Sequence, residues 1–578
     1  MKDQILDHLK KSLVTLDIES QSVNLDYPEN TDNGDFATNV AMVHAKQFQT
    51  SPRELAEKIV MELQKGMPEF IRSVNVAGAG FINFFVKDEE FAREAIGAVL
   101  QNQTSPQPSP QTRRGGTQVL IEHTDPNTFK PFHIGHLMAN AIGESLSRLI
   151  SFSGDQVTRI CYPSDIGLHI AKSIWAIGKN EEKVPKDNAP IIERTAFLGQ
   201  MYAEGTAAYE KDEKAKSEID ILNKAIYDKT DSLANFWYEK GKKWSLEHFD
   251  LLYKRLGTEF DEYIYESEVA PIGLAIVNQN TGKIFEESEG AVVFKGEKYG
   301  LHTRVFVNSQ GLATYEAKEL GLNTSKFQKY PKTDLSVVVT ANEQNDYFKV
   351  LIKALSLVDS NIGSKTVHIG HGMLRLESGK MSSRTGKVIT AESLIDEIKN
   401  MVIEKMAEGK TDTKDLKPEE RDEIADMIAI AAIKYTILRQ AIGGDIIFDS
   451  AKSISFEGDS GPYLQYSAVR AAAVLEKAAR EGIEVGEGFV LPEKVSLLEK
   501  LIVRFTDIAS RARNEYAPQI VANYLTTLAG EFNSFYARQI IVDKKDPLSP
   551  YYVALTKAFL GTITKGLWLL GIKVPKKM

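Results

Sequence analysis

Fifteen residues, Glu122 to His136, read Glu-His-Thr-Asp-Pro-Asn-Thr-Phe-Lys-Pro-Phe-His-Ile-Gly-His and gather carboxylates, three histidines, a lysine and an asparagine into one short connection. Val119 to Ile121, apolar and β-branched at two of three positions, predict a buried strand before it, and Met138, Ile142, Leu146 and Leu149 recur at helical spacing behind it. A strand, a loop and a helix with a glycine at its start offer free backbone N–H groups and the positive end of the helix dipole. The chemistry expected there is phosphate binding. Gly135 lets a nucleotide approach the backbone, and His133 and His136 face its phosphates.

The tetrapeptide His-Ile-Gly-His recurs at His368 to His371, but there it follows Thr366-Val367 and runs into Gly372-Met373. That context predicts a strand end beside a ligand, not a helix start. A second basic stretch, Gly379-Lys380-Met381-Ser382-Ser383-Arg384-Thr385-Gly386-Lys387, carries a lysine, serines and an arginine between glycines. It reads as a loop able to clamp a triphosphate and stabilise charge building on the transferring phosphorus and the leaving pyrophosphate. On its own it could equally be a basic surface loop. No Walker-type Gly-x-x-x-x-Gly-Lys-Ser/Thr occurs.

The elements that position these residues emerge from pattern. With 578 residues the chain exceeds one compact domain. Residues 1–103 read as a small α+β unit, with a helix entered through Ser51-Pro52 and two strands about Gly78-Ala79-Gly80, a structural turn. Residues 104–117, rich in proline, serine and glycine, form a linker. Residues 118–390 alternate strand and helix signals: Gly154 ends the first helix, Val157 to Tyr162 makes the next strand, and Ser336 to Thr340 reads as a parallel strand covered on both faces. This predicts a doubly wound parallel-sheet α/β domain with ligands at the carboxyl ends of its strands. A helical insertion occupies about 187–255, packed through Trp237, Tyr238 and Trp244. Beyond about residue 390 strands disappear, leaving a helical connection over 391–450 and an all-α bundle over 451–578.

Bulk composition narrows the class. The formal charge of −9 argues against coating nucleic acid electrostatically but leaves room for a local patch, such as the lysines from Lys544 to Lys577. A single cysteine, Cys161, excludes an internal disulfide and a Cys-rich zinc site, and its setting predicts packing, not a catalytic thiol. No apolar run is long enough for a bilayer and no signal peptide opens the chain, so a cytoplasmic protein without membrane contact is expected.

Taken together, His133 to His136 and Lys380 to Arg384 resemble the HIGH and KMSKS signatures of class I aminoacyl-tRNA synthetases, in the right order on a Rossmann-type domain. Asp125-Pro-Asn127-Thr-Phe-Lys130-Pro-Phe-His-Ile-Gly-His narrows the resemblance to the arginyl-tRNA synthetases. Asn33 to Asn39 and Ala79 to Asn83 are similar to the family's extra N-terminal domain, and Gly461 to Arg470 with the closing Leu-Gly-Ile-Lys-Val-Pro-Lys-Lys-Met to its helical anticodon-binding domain. The resemblance implies that ATP and Mg²⁺ activate L-arginine to arginyl-adenylate, which is passed to the terminal adenosine of tRNA(Arg), with arginine activation requiring bound tRNA. It implies ATP contacts from His133, Gly135, His136, Lys380 and Met381, with Lys130, Ser382 and Arg384 completing the catalytic set and His371, Gly372 and Met373 bordering the adenine. Arginine falls to Glu122, Asn127, His136, Tyr315, Glu319 and Gln344. The tRNA falls to Asn39 and Phe81 in the first domain and Tyr463, Tyr466 and Arg470 in the last, and a monomer is expected. A guanidinium has five donors and no acceptor, so carboxylates and carbonyl or phenolic oxygens suit it.

Three departures stand out. Glu319 occupies the place of the family's aspartate, Ser383 that of the second lysine of KMSKS, and His169 that of a glutamine. Lys130, three residues before His133, is the candidate replacement for the missing lysine. Without the resemblance, Glu319 would read as half of an i, i+4 ion pair on a surface helix. Two other readings stay open at this point: a synthetase-like tRNA-binding protein without aminoacylation activity, and a class I synthetase for another amino acid.

Overall fold

The computed structural model describes residues 1–19, 23–28, 30–100, 116–376, 389–408, 416–483 and 490–578. The linker proposed over 104–117 and the loop residues Lys380, Met381, Ser382, Ser383 and Arg384 lie almost wholly outside them, with only Gly116 and Thr117 of these described. Two compact units result: Met1–Thr104 with Ala473–Arg504 and Ser534–Phe559, and Ser105–Ala472 with Phe505–Asn533 and Leu560–Met578.

In the first unit, strands β1 (Phe36–Thr38), β2 (Ile71–Ala77) and β3 (Phe81–Val86) form an antiparallel sheet in the order β1-β3-β2. Helices α1 (Lys2–Thr15) and α2 (Pro52–Leu63) close its core through Leu9, Leu13, Leu55, Ile59 and Leu63. Helix α2 starts where predicted: the Ser51 hydroxyl accepts from the Glu54 N–H and the Glu54 carboxylate accepts from the Ser51 N–H. Such a cap is worth about 1 kcal/mol. The β2–β3 turn needs its glycines, since Gly78 and Gly80 have φ of +52° and +131° and a Cβ on Gly80 would sit 2.7 Å from the Pro52 carbonyl oxygen.

The second unit is built on a five-stranded sheet. Strands β4 (Gln118–His123), β5 (Gln156–Cys161) and β6 (Glu262–Tyr263) run outward from the centre, and β10 (Leu335–Ala341) and β11 (Thr366–His371) lie on the other side of β4, all parallel. The strand order therefore reverses between β4 and β10, which puts the connections leaving these two strands at the switch point where doubly wound sheets bind ligands. Val119, Leu120, Ile121 and Val337 to Val339 are fully buried, as central parallel strands covered on both faces must be.

Helix α3 (Ile134–Phe152) crosses from β4 to β5. Its predicted stripe, Met138, Ile142, Leu146 and Leu149, is buried, but so are Asn140, Glu144, Ser145 and Ser147 on other faces. The helix is thus enclosed on nearly every side. Helix α4 (Leu168–Gly178) follows β5, and helices α5 (Ile191–Lys211), α6 (Glu213–Asp228) and α7 (Ser232–Leu256) occupy the stretch expected to be a helical insertion, with Trp237, Tyr238 and Trp244 buried. Helix α8 (Glu266–Gln279) leads to a small antiparallel sheet, β7 (Glu286–Ser288), β8 (Ala291–Phe294) and β9 (Arg304–Val307), before α9 (Tyr315–Lys329).

The expectation that strands end near residue 390 needs one correction. The three-residue strand β13 (Ile446–Phe448) pairs in parallel with β12 (Leu374–Leu376), the register running Leu374 to Ile446. A segment this short carries no periodicity of its own and depends on a partner far away in sequence. The rest of the C-terminal part is helical, in Gly461–Glu481, Leu497–Asn514, Pro518–Arg538 and Ser549–Leu569. Cys161 is buried and free of any disulfide.

Candidate active site

The connection leaving β4 is strained and braced. Thr124, Asp125 and Phe129 all have positive φ, of 82°, 40° and 62°, in a region costly to residues with a Cβ. The second unit holds them there. The Tyr162 N–H donates to Asp125 at 2.7 Å, the Thr128 N–H to the Ser164 carbonyl at 3.0 Å, and the Phe129 N–H to the Ser245 hydroxyl of α7 at 2.9 Å. The Phe129 ring fills the space over Gly241 of α7, where a Cβ would lie 2.1 Å from it. Helix α7 therefore fixes the loop from outside the sheet.

His133 and His136 sit at the start of α3 and cap it. The His133 Nδ1 accepts from the Gly135 and His136 N–H groups at 3.1 and 3.4 Å, and the His136 Nδ1 accepts from the His133 N–H at 3.3 Å. Those helix N–H groups are thus taken by a side chain, contrary to the expectation that they stand free for phosphate. Gly135 is needed by the cap itself, because a Cβ would press against the His133 ring at 3.0 Å. An Nδ1 that accepts carries no proton, so each neutral ring holds its proton on Nε2. Burial, with the Lys130 ammonium second, pulls the His133 pKa down to about 4. Burial and the neighbouring His133 and Lys130 put His136 well below the usual histidine range. The pair therefore presents neutral Nε2–H donors at neutral pH.

Lys130 is half-buried, with its ammonium 4.7 Å from the centre of the Tyr202 ring of α5. Among the described residues no carboxylate pairs with it. Burial, then the Lys130 charge, puts His169 well below the usual histidine range, its Nε2 lying 3.3 Å from the Ser164 carbonyl oxygen. An unpaired cation among neutral imidazoles suits an anionic ligand. The returning chain is anchored here too, as the Ala391 N–H donates to the Phe132 carbonyl at 2.9 Å and Thr390 bridges to His133.

The second tetrapeptide lies in β11, as its context predicted. His371 and Gly372 line a small cavity together with Met138 and Ile142 of α3. His371 is buried, its Nδ1 donating to the Gly372 carbonyl at 2.7 Å, and burial lowers its pKa. A Cβ on Gly372 would meet the Gly444 oxygen at 2.0 Å. The Met373 N–H donates to Asp445 at 2.9 Å, leaving the side chain part-exposed. His368 is held instead by stacking on Phe348 at 4.0 Å and by Thr340.

A second cluster lies behind the loop. Glu122 on β4 and Glu319 on α9 are both buried, which rejects the surface ion pair for Glu319, and Asp125 and Glu266 act on Glu319 electrostatically. Burial, then the Glu122 charge, raises the carboxyls of Asp125 and Glu319 well above their ordinary range. Two buried lysines face these four acids: Lys326 donates to Glu122 at 2.8 Å, and Lys318 to Glu266 at 2.6 Å and the Ile166 carbonyl at 3.2 Å. Among the described residues the buried Tyr162 hydroxyl has no hydrogen-bond partner, and Glu266, Glu319, Tyr347 and Glu122 act on it electrostatically. Asn127 is half-buried in the loop, Tyr315 opens α9 with an exposed ring, and Gln344 is exposed in the turn after β10. Sequence reasoning missed Asp125 as a pocket acid, together with Glu266, Lys318, Lys326 and Tyr162. Only charged types recurring in α9 at Lys318, Glu319 and Lys326 hinted at them.

Outlying candidates divide. Asn39 and Phe81 are exposed and line one groove of the first unit with Tyr27, Asn30, Asn33 and Asn83. Tyr463, Tyr466 and Arg470 are tied into helix packing. Arg470 donates to the Tyr466 hydroxyl at 2.9 Å and to Asn533 at 2.5 Å, and Asn533 donates to the Tyr463 hydroxyl at 3.0 Å.

Comparison with known proteins agrees with this geometry. Family models match in order along the chain: the arginyl tRNA synthetase N-terminal domain at residues 1–86, the catalytic domain of class I (R) tRNA synthetases at 95–450, and the DALR anticodon-binding domain at 464–578. The parallel sheet, its switch point and the histidine-capped helix are thus those of a class I aminoacyl-tRNA synthetase. The arginine–tRNA ligase of Clostridium acetobutylicum is 30% identical over 583 residues, covering 100% of both chains. That of Bacteroides thetaiotaomicron is 29% identical over 572 residues, covering 94% of this chain and 93% of its own. The structure of Thermus thermophilus arginyl-tRNA synthetase superposes with a TM-score of 0.81 at 22% identity, covering 100% of each chain, a likeness of fold. The chain belongs to the arginyl-tRNA synthetases.

Proposed function

We propose that this protein joins L-arginine to tRNA(Arg) at the expense of ATP, with the loop after β4 holding both small substrates. The observation that carries the choice of amino acid is the cluster of four carboxyl groups, Glu122, Asp125, Glu266 and Glu319, set against the two ammonium groups of Lys318 and Lys326. An excess of acids over cations suits a ligand that presents a guanidinium. Glu122, Asn127, Tyr315, Glu319 and Gln344 are assigned to arginine, with His136 shared between arginine and the nucleotide.

In the first step an oxygen of the arginine carboxylate attacks the α-phosphorus of ATP. The bond to the bridging oxygen breaks, its electron pair leaves with pyrophosphate, and a mixed anhydride remains. No side chain needs to be a nucleophile, so the protein contributes position and charge. Neutral His133 and His136 donate Nε2–H to phosphate oxygens, and Lys130 adds the cation. Lys380, Ser382 and Arg384 complete the phosphate contacts, while Gly135, Met381, His371, Gly372 and Met373 border the nucleotide. In the second step a terminal ribose hydroxyl of the tRNA, the 2′-hydroxyl by the class I pattern, attacks the carbonyl and AMP leaves. Mg²⁺ is assigned to the ATP substrate, whose phosphates it accompanies.

The groove with Asn39 and Phe81 is assigned to unpaired bases of the tRNA, since an exposed ring beside amides stacks and hydrogen-bonds bases. Tyr463, Tyr466 and Arg470 are weaker members, their polar groups being shared with Asn533. No helix of the described residues is long and apolar enough to cross a membrane, and the reading carries a cytoplasmic setting and a monomer, which sedimentation measures directly. The deciding experiment is arginine-dependent charging of tRNA(Arg), with ATP–pyrophosphate exchange run with and without tRNA. Exchange with another amino acid, or none with any, would overturn the assignment; equal exchange without tRNA would remove the tRNA requirement alone.

A further inference from the structure

Lys326 is fully enclosed on α9, and its ammonium lies 2.8 Å from Oε2 of Glu122, itself buried on the central strand β4. A buried pair of this kind is expensive to form and is weak support for stability, since apolar residues of the same volume commonly serve as well. The placement has another consequence. Oε2 of Glu122 is occupied, while Oε1 accepts no hydrogen bond from the described residues. Lysine thereby orients the carboxylate and leaves one oxygen for a ligand. Around Glu122 stand Asp125 from the loop after β4, Glu319 from α9 and, next to Glu319, Glu266 from α8, the last already paired with Lys318. Lys326 is the cation on which Asp125 and Glu319 also draw.

We propose that Lys326 is a positioning residue for the amino-acid substrate: it holds one oxygen of Glu122 so that the other meets a positively charged group of arginine. The inference rests on the assignment of Glu122 to arginine. Lys326 touches no reacting atom. It fixes the Glu122 carboxylate in a pocket crowded with acids, with Oε1 turned to a guanidinium or ammonium.

The test compares Lys326→Met, Lys326→Arg and Glu122→Gln in charging of tRNA(Arg) by the full chain, with arginine KM, ATP KM and kcat measured. Lys326→Met should raise arginine KM about tenfold or more with ATP KM unchanged, and Lys326→Arg should recover most of the loss. An arginine KM unchanged in Lys326→Met while Glu122→Gln raises it would overturn the role of Lys326 and leave the pocket assignment standing. An arginine KM unchanged in Glu122→Gln would overturn the pocket assignment itself. If Lys326→Met does not fold, the double variant Glu122→Gln/Lys326→Met removes both charges. The proposal then requires it to show the arginine KM of Glu122→Gln, and any further rise overturns it.

Discussion

His133 and His136 lie ring over ring, centroids 3.6 Å apart and planes 18° from parallel, and each caps the helix they open through its Nδ1. The stacking and the caps leave only Nε2 for a ligand. The signature is thus two things at once, a helix start and a pair of neutral donors.

His133→Asn separates these roles. An asparagine oxygen can still accept from the helix N–H groups, as favoured caps do, but the donor directed at phosphate is lost or displaced. Adenylate formation should fall about 100-fold while the thermal midpoint stays close to that of the parent. A large fall in midpoint with activation per folded molecule unchanged would make the histidine a cap and nothing more.

Lys130 has the Tyr202 ring beneath it and, among the described residues, no carboxylate beside it. Lys130→Ala should impair adenylate formation about 100-fold with little change in tRNA binding. If Lys130 replaces the lysine absent at Ser383, adding Ser383→Lys should restore part of the rate. Unchanged single-turnover activation in Lys130→Ala would remove it from the machinery.

Glu319 is buried among like charges and accepts a hydrogen bond from Asn323 at 3.4 Å. Glu319→Gln keeps the shape and removes the charge, so arginine KM should rise about tenfold or more with kcat much less affected. Steady-state charging against arginine concentration measures it, and an unaltered KM would leave Glu319 a packing residue.

His123 supplies a pH dependence. It is fully buried over Gly143 of α3, and burial pulls its pKa from 6.5 to about 4. The folded protein keeps it neutral while the unfolded chain protonates it below about 6.5. Its contribution is therefore complete above that value and is lost as pH falls toward 4, amounting to about 3 kcal/mol. His133 and His368 share the direction and the window. His123→Leu should show a shallower loss of stability than the parent between pH 6.5 and 4 in denaturant melts; identical slopes would place the acid sensitivity elsewhere.

Much of this was legible in the residues alone, for reasons of range. Ser51 and Glu54 form a capping box three residues apart, Gly78 and Gly80 set a turn by local sterics, and Val337 to Val339 are apolar enough to have no place except a covered parallel strand. The strand, loop and helix around His133 are equally local, as is the difference between the two His-Ile-Gly-His copies, decided by the residues on the C-terminal side of each. These features depend on dihedral preference and hydrophobic period, which neighbouring residues determine by themselves.

Tertiary structure decided what depends on residues distant in the chain. The pairing of Leu374–Leu376 with Ile446–Phe448, the enclosure of α3 on faces that read as polar, and the bracing of Phe129 by Gly241 and Ser245 carry no local signal. Glu319 reads from sequence as a surface carboxylate and from the fold as a buried one, because the sheet places Glu122 across from α9 and Lys326 returns eleven residues after Tyr315 to meet it. The types and spacing of residues named the chemistry. Which charges share a buried space, and so which cation the pocket is built to take, is a property of three-dimensional distance and of the loss of water around it.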